Sequence, residues 1–331
     1  MHMLILDRDD VKQALPMEEV IMAMKVAFSA LSTGEAIVPK RIHLSIPTHE
    51  GLSLFMPAYL RTAKYQALVV KTVSVFSKNA DLFLPLIHAM VLVLEAHTGR
   101  PLALIEGSSL TAIRTGAASG AATDLLARPS SKTAAIFGAG VQGRKQLEAI
   151  CTVRPITRVF VYDTQEAAAE LFIQEMSGLG PVPGDLRKAE DPQEACSDAD
   201  IICCATTSST PVFADQHLKP GVHINAVGSF TPEMQEIPSA TVERATVFVD
   251  FRSSALTEAG DILQPIQAGR IGADHIHAEL GEVILGDRPG RLGDDQITFF
   301  KSVGVAVQDA AAAQLALQNA RKMGLGQNVD I

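Results

Sequence analysis

The amino-acid sequence predicts an α/β protein with two architectures in one chain, a doubly wound parallel sheet and a separate region of antiparallel strands. Three observations carry this. The stretch Thr133–Asp163 reads as strand, glycine turn, helix, strand and acid; the segments after it alternate apolar runs with helical ones; and residues 41–107 hold extended runs that follow one another across short turns. Alternation with helices indicates a parallel sheet covered on both faces, whereas strands joined by short turns pair antiparallel. A chain of 331 residues is long for one core and suits two domains.

Residues 1–34 read as a short strand, Met3–Leu6, and an amphipathic helix in which Val20, Ile21, Met24, Ala27, Phe28 and Leu31 recur at helical spacing, with Gly34 as C-cap. The extended runs that follow are Ile42–Pro47, Leu52–Met56, Ala67–Phe76 and Met90–Glu95, and the turn Thr98–Pro101 leads into Leu102–Glu106. Cations interrupt this apolar pattern: Arg41 precedes the first strand, Lys71 sits inside ALVVKTVSV, and Arg114 lies in SSLTAIRTGAASG. A lysine among Leu and Val either snorkels outward or faces a polar cavity, because an unpaired buried ammonium costs several kcal/mol or more. Arg114 is open to two readings, a ligand contact or a partner for a structural carboxylate.

Residues 110–128 form a connecting helix stopped by Pro129, and the glycine segment follows. Gly138 allows the tight turn out of the strand, Gly140 lets backbone approach a pyrophosphate, and Gly143 lets the helix pack close to the sheet. Free N–H groups and the positive end of the helix dipole then face the phosphates. Asp163 falls roughly 20 residues past the last glycine, where a carboxylate accepts hydrogen bonds from ribose hydroxyls. This is the Rossmann-type dinucleotide fingerprint. Thr164 and Gln165 follow Asp163 with no Arg or Lys to offset a 2′-phosphate, so NAD(H) is favoured and NADP(H) is the alternative.

Beyond Asp163, Ala167–Met176 reads as a helix, and Ile201–Ala205, Val222–Val227 and Ala245–Val249 as strands. Ligands of such sheets bind beyond the carboxyl ends of the strands. That places Thr206-Thr207-Ser208 and Gly228-Ser229-Phe230 at the cofactor edge. The tail, Lys301–Gly324, reads as an Ala-rich helix with Arg321 and Lys322 in its last turn. His275 and His277, read as helical, point to nearly opposite sides, so no metal site is expected.

The net charge of −9 and the lack of a Lys/Arg-rich block argue against nucleic acid or an anionic membrane as partner. The four cysteines, Cys151, Cys196, Cys203 and Cys204, lack metal-site spacing and read as reduced structural thiols. The start MHMLILDRDD lacks a signal-peptide core, and no apolar segment reaches the roughly 20 residues that span a bilayer. A soluble cytoplasmic protein is expected.

Taken together, Arg41 in VPKR, Met56-Pro57-Ala58-Tyr59, Lys71 in VVKTVSVF, TAIRT at 111–115, GAGVQG at 138–143, INAVGS at 224–229, AELGEVILG at 278–286 and FKSVGVAVQD at 300–309 resemble the ornithine cyclodeaminase/mu-crystallin family. The resemblance spans nearly the whole chain. It implies a homodimer in which a discontinuous α+β domain, residues 1–118 with 303–331, dimerises and binds substrate, while residues 119–302 bind NAD. It implies that Arg41, Lys71 and Arg114 converge on a substrate carboxylate, with Lys71 near the reacting nitrogen or carbonyl region. Cofactor-binding positions would be Arg114, Thr115, Gly138, Gly140, Val141, Gln142, Gly143, Asp163, Thr206, Val227, Gly228 and Ser229, with Val303 lining the nicotinamide pocket.

One position departs from the family pattern. In the cyclodeaminases and related alanine dehydrogenases, the loop after INA-x-G carries an aspartate proposed to act as base, and Phe230 stands at that position here; Glu233 and Glu236 lie nearby. Ring closure with loss of ammonia, like amination of a keto acid, needs repeated proton transfers, and acid–base help of this kind is typically worth about 10²–10⁴-fold. Reduction of a preformed cyclic imine needs less, because the imine can arrive protonated. Phe230 would serve that step as an apolar wall. The resemblance therefore implies an NAD(P)H-dependent reductase of small cyclic 2-imino acids, Δ1-pyrroline-2-carboxylate or Δ1-piperideine-2-carboxylate, giving L-proline or L-pipecolate. Ornithine cyclodeaminase, an alanine dehydrogenase-like enzyme and a mu-crystallin-like binding protein are the alternatives.

Overall fold

The computed structural model describes residues 2–63 and 66–330, so Met1, Lys64, Tyr65 and Ile331 of the segments assigned above to the substrate domain lie outside the described residues. The chain divides into two units, Met1–Arg114 with Val305–Ile331, and Thr115–Gly304.

The first unit opens with β1 (His2–Leu6), α1 (Arg8–Ala14) and α2 (Met17–Ser32). Asp7 caps α1 by accepting from the N–H groups of Asp9 and Asp10. In α2 the apolar stripe Val20, Ile21, Met24, Ala27 and Phe28 is buried, and Gly34 takes the left-handed conformation just past its end. Then come β2 (Ala36–Ile37), β3 (Ile42–Ile46), β4 (Gly51–Arg61), β5 (Gln66–Phe76), β6 (Ile87–Leu94), β7 (Pro101–Glu106) and α3 (Gly107–Leu126), whose residues pass from one unit to the next after Arg114.

The second unit contains β8 (Thr133–Phe137), α4 (Val141–Val153), β9 (Arg158–Tyr162), α5 (Glu166–Met176), β10 (Leu186–Lys188), α6 (Pro192–Ser197) and β11 (Ile201–Cys204). It continues through β12 (His223–Ala226), α7 (Ser239–Arg244), β13 (Thr246–Val249), α8 (Arg252–Glu258), α9 (Gly260–Gln267), β14 (Ile276–Glu279), α10 (Leu280–Leu285) and β15 (Thr298–Lys301). The chain then returns to the first unit as α11 (Ala306–Met323) and β16 (Gln327–Asp330).

The sheet of the first unit runs β16-β1-β7-β6-β5-β4-β2, with β3 added against β4. The hairpin pairs from β3 to β7 are antiparallel as the short turns require, but β1 joins β7 in parallel, so the sheet is mixed rather than purely antiparallel. Helix α11 packs on α2 and across β4 and β5. Along β5 the buried positions alternate, Ala67, Val69 and Lys71, and this face is the core face.

The sheet of the second unit runs β10-β9-β8-β11-β12-β15-β13-β14 and is parallel throughout. Its order reverses between β8 and β11, the place where ligands of such sheets bind. Strands β8, β11 and β12 are buried on both faces, as a covered parallel sheet requires. Cys203 and Cys204 lie in β11, and burial pushes the thiols of Cys151, Cys196 and Cys203 up to about 12; all four cysteines are free thiols.

Two sequence-based expectations need correction. The C-terminal helix begins at Ala306, not Lys301: Thr298–Lys301 is the strand β15, and Gly304 at φ 82° turns the chain before the helix starts. His275 and His277 are not helical either. His275 ends a 3-10 turn and bonds the carbonyl of Val242, whereas His277 lies on β14 and bonds the carbonyl of Pro289. Among the described residues no group of three or more His, Cys, Asp or Glu side chains could hold a metal ion, and no helix is long and apolar enough to cross a membrane.

Candidate active site

In the second unit, the turn between β8 and α4 is built for close approach. Gly138 adopts φ 96°, and a Cβ there would stand 2.6 Å from the carbonyl oxygen of Ala205. A Cβ on Gly143 would fall onto the carbonyl oxygen of Gly138, so helix and turn could not pack as they do. Around Gly140, by contrast, the space a Cβ would take is open, and Gly140 is the N-cap of α4 with no side-chain cap. The first N–H groups of α4 are thus left for an anion. Val141 is largely exposed and Gln142 half-buried beside them.

A cavity of about 580 Å³ opens next to this turn, lined by Gly138, Gly140, Tyr162, Asp163, Thr206 and the chain to Val212. Asp163 follows β9, and its carboxylate accepts from the N–H of Ala139 at 2.8 Å and of Gln165 at 2.9 Å. It therefore fixes the glycine turn, and each oxygen keeps a lone pair for a hydroxyl. The size, the open cradle and the acid fit a dinucleotide.

The loops after β11 and β12 are tied together by a residue whose placement sequence reading left open. Glu236 is fully buried, and one of its oxygens accepts from the N–H and hydroxyl of Thr206 at 2.6 and 2.8 Å, while the other accepts from the N–H of Gly228 at 2.7 Å and of Ser229 at 3.2 Å. The peptide N–H of Glu236 in turn donates to Asp261 at 2.7 Å, and Asp261 pairs with buried Lys301 at 3.0 Å. Burial pushes the Glu236 carboxyl up, and the nearby charge of Asp261 adds to that while Lys301 opposes it. With both oxygens engaged, Glu236 shapes the loops that carry Thr206, Val227, Gly228 and Ser229. Glu233 is exposed, and Phe230 is 49% exposed.

Val303 is half-buried, and its N–H donates to Asp250 at 3.1 Å; the same oxygen accepts from the Ser302 hydroxyl and the Gly304 N–H. Thr115 lies at the start of the second unit, where its carbonyl accepts from Gln146 at 3.4 Å. Asp250 and Asp261 lie in no motif of the sequence, and Ser302, inside FKSVGVAVQD, is not singled out there.

In the first unit, Lys71 is 1% exposed and Arg114 is 5% exposed, so neither snorkels to solvent. Both cations meet the same atom: Asp309 Oδ1 accepts from Lys71 Nζ at 2.9 Å and from Arg114 Nε at 3.0 Å. Gln308 Oε1 accepts from a second Arg114 nitrogen at 2.7 Å. Burial pulls Lys71 down to about 8 against the attraction of Asp309, and the positive charges of Arg114 and Arg41 add to the lowering. Arg41, half-buried at the entry to β3, therefore belongs to the same electrostatic group. Burial would raise Asp309, but Arg114 and Lys71 outweigh it and hold its carboxyl below the usual range. Two cations on one carboxylate oxygen leave excess positive charge for a small anion.

The chain has known relatives. The model of the ornithine cyclodeaminase/mu-crystallin family matches residues 1–324. The chain belongs to that family. It is 40% identical over 329 residues to the Δ1-pyrroline-2-carboxylate reductase of Bacillus cereus, covering 99% of this chain and 100% of the relative. Among solved structures, the Δ1-pyrroline-2-carboxylate reductase of Thermococcus litoralis in complex with NADH and L-proline superposes with TM-score 0.93 at 43% identity, covering 99% of this chain and 100% of that one. An archaeal alanine dehydrogenase, a dimer with bound NAD, gives TM-score 0.92 at 33% identity over 100% of both chains.

Proposed function

We propose that this protein is an NADH-dependent reductase of Δ1-pyrroline-2-carboxylate, yielding L-proline, with the six-membered Δ1-piperideine-2-carboxylate as a second substrate of the same chemistry. The observation that carries the reading is the buried pair Lys71 and Arg114 on one oxygen of Asp309, in a chain that matches pyrroline-2-carboxylate reductases over their full length. Cations of this kind recognise a carboxylate through charge-assisted hydrogen bonds.

The turn Gly138–Gly143, the start of α4 and Asp163 would hold the pyrophosphate and ribose of NADH, and Thr206, Val227–Ser229 and Val303 would line the nicotinamide end. NADH supplies a hydride for the imine carbon. Lys71, Arg114 and Arg41 fix the imino acid through its carboxylate, so the ring presents one face. Because the cyclic imine arrives protonated, no side chain has to deliver a proton during the transfer, and Phe230 in place of an acid is compatible with the reaction. Positioning of this sort supplies much of the rate.

The test is oxidation of NADH by the purified protein with either cyclic imine, run beside ammonia release from L-ornithine with NAD+. NADH loss with an imine and silence on ornithine is the expected result. Ammonia and proline from ornithine without net NADH change would overturn the reading.

NADH rather than NADPH follows from Asp163. Exchange of Asp163 for serine is expected to weaken NADH binding, because the N–H groups of Ala139 and Gln165 lose their carboxylate, and to narrow the preference over NADPH about tenfold, roughly 1.4 kcal/mol. Fluorescence titration with both cofactors reads the ratio; an unchanged ratio would place the selection elsewhere.

The working form is read as a cytoplasmic homodimer. In the first unit Ile42 and Leu44 on β3, Ile87 on β6, and Leu82, Phe83, Leu84 and Leu86 between β5 and β6 are exposed, Phe83 by 98%. Apolar side chains gathered at one part of a sheet mark an interaction surface, and the four free thiols suit a reducing compartment. Phe83→Lys with Leu84→Lys should shift the protein to monomer in sedimentation; an unaltered dimer would remove this surface from the interface.

A further inference from the structure

Lys71 lies on β5 and Arg114 on α3, yet neither side chain is held by its own element. Both depend on the first turn of α11, where Asp309 Oδ1 accepts one hydrogen bond from each at 2.9 and 3.0 Å, and Gln308 Oε1 accepts a further one from Arg114 at 2.7 Å together with one from the N–H of Val305 at 3.1 Å. An ammonium has three protons and a guanidinium five, so both cations keep donors beyond those that Asp309 and Gln308 use. The carboxylate itself sits in the first turn of its helix, where the dipole favours negative charge. Its Oδ2 has no hydrogen-bond partner among the described residues, so the side chain is committed to the two cations through a single atom.

We propose that Asp309 is the positioning residue of the substrate site: through one oxygen it holds Lys71 and Arg114 with their free donors turned to a common carboxylate ligand and keeps Lys71 charged. The inference rests on reading this cluster as the holder of the imino-acid carboxylate. Long cationic side chains lose rotamer freedom when they bind a ligand, and Asp309 removes that loss beforehand. It also supplies counter-charge where water does not reach, since Lys71 and Asp309 are 1% and 0% exposed. The charged groups that act on Lys71 are Asp309 on α11, Arg114 on α3 and Arg41 before β3, while its cross-strand neighbours Met56 and Val91 are apolar. Asp309 thus opposes both burial and two positive charges.

Asp309→Asn keeps the shape and an accepting oxygen but removes the charge. The expected result is a KM for Δ1-pyrroline-2-carboxylate raised about tenfold or more, unchanged NADH affinity, and an alkaline limb of kcat/KM moved to lower pH by about one unit or more. Asp309→Glu, which restores charge at the wrong reach, should return the limb toward its wild-type position while KM stays high. A wild-type KM and pH profile in the Asn variant would overturn the proposal; should that variant not fold, a wild-type KM in the Glu variant would do so. Turnover is not required for the second readout. The 13Cε resonance of Lys71, assigned by its loss in Lys71→Met, should titrate at lower pH in Asp309→Asn than in wild type. If the wild type reduces no imine, the proposed reaction fails, yet a common titration midpoint in the two proteins would still reject the role of Asp309.

Discussion

Exchange of Lys71 for methionine is expected to lower kcat/KM for the cyclic imine by roughly 30- to 5,000-fold, the effect of losing about 2–5 kcal/mol from a buried, hydrogen-bonded charge. Methionine matches the length of the lysine stem, so packing on the core face of β5 beside Ala67 and Val69 is kept. What disappears is the ammonium that faces Asp309 at 2.9 Å and the donors left over for a carboxylate. Arg114 still pairs with Asp309, which spares the variant an uncompensated buried charge. NADH affinity should be nearly unchanged, because the glycine turn and Asp163 belong to the other unit. The pH profile gives a second check. Burial depresses Lys71 to about 8, so the charged form is present below that pH and is lost as pH rises through it; kcat/KM of the wild type should fall on that limb. The methionine variant should lose the part of that limb due to Lys71 and keep only the fall that deprotonation of the imine itself imposes. A variant with normal activity would remove Lys71 from the site.

Legibility in the sequence followed the range of the interactions involved. The glycine turn, its strands and Asp163 are encoded within one continuous stretch, and their constraints are local: a positive φ at Gly138 and a blocked Cβ at Gly143. A period of two puts Ala67, Val69 and Lys71 on one face, but Leu68 and Val70 make the other face as apolar, so the run left the burial of Lys71 open. Its partner was not legible, because Asp309 comes 238 residues later in an Ala-rich helix where a lone carboxylate resembles a solvated one. The end of β15 was misread for a related reason: Phe299, Phe300 and Lys301 run into the apolar Val303–Val307, and only the left-handed Gly304 separates strand from helix. Glu236 stood in sight near Phe230, but whether a carboxylate is free or consumed depends on which backbone N–H groups point at it. Those belong to loops after different strands.

Glu236 provides the largest expected effect on stability. Truncation to alanine strips the acceptor from the N–H groups of Thr206, Gly228 and Ser229 at once. Each buried donor left unsatisfied costs about 1–3 kcal/mol. The buried pair Lys301 and Asp261 stays in place at 3.0 Å, so the loss is that of the clamp rather than of the whole cluster. A total near 3–5 kcal/mol matches the removal of one partner from a buried ionic group, and in a domain of this size it lowers Tm by roughly 6–20 °C. Glutamine should fall between alanine and wild type, since one amide oxygen replaces two carboxylate oxygens and its NH₂ faces donors. Close to Gly228 there is no room to adjust: a Cβ there would meet the Thr206 carbonyl and the Glu236 carboxylate. The loops proposed to line the nicotinamide end should therefore shift as a pair, and NADH affinity should drop together with Tm. Calorimetry and NADH titration on the two variants measure both quantities. A wild-type Tm in Glu236→Ala would mean that the loops hold their shape without the carboxylate.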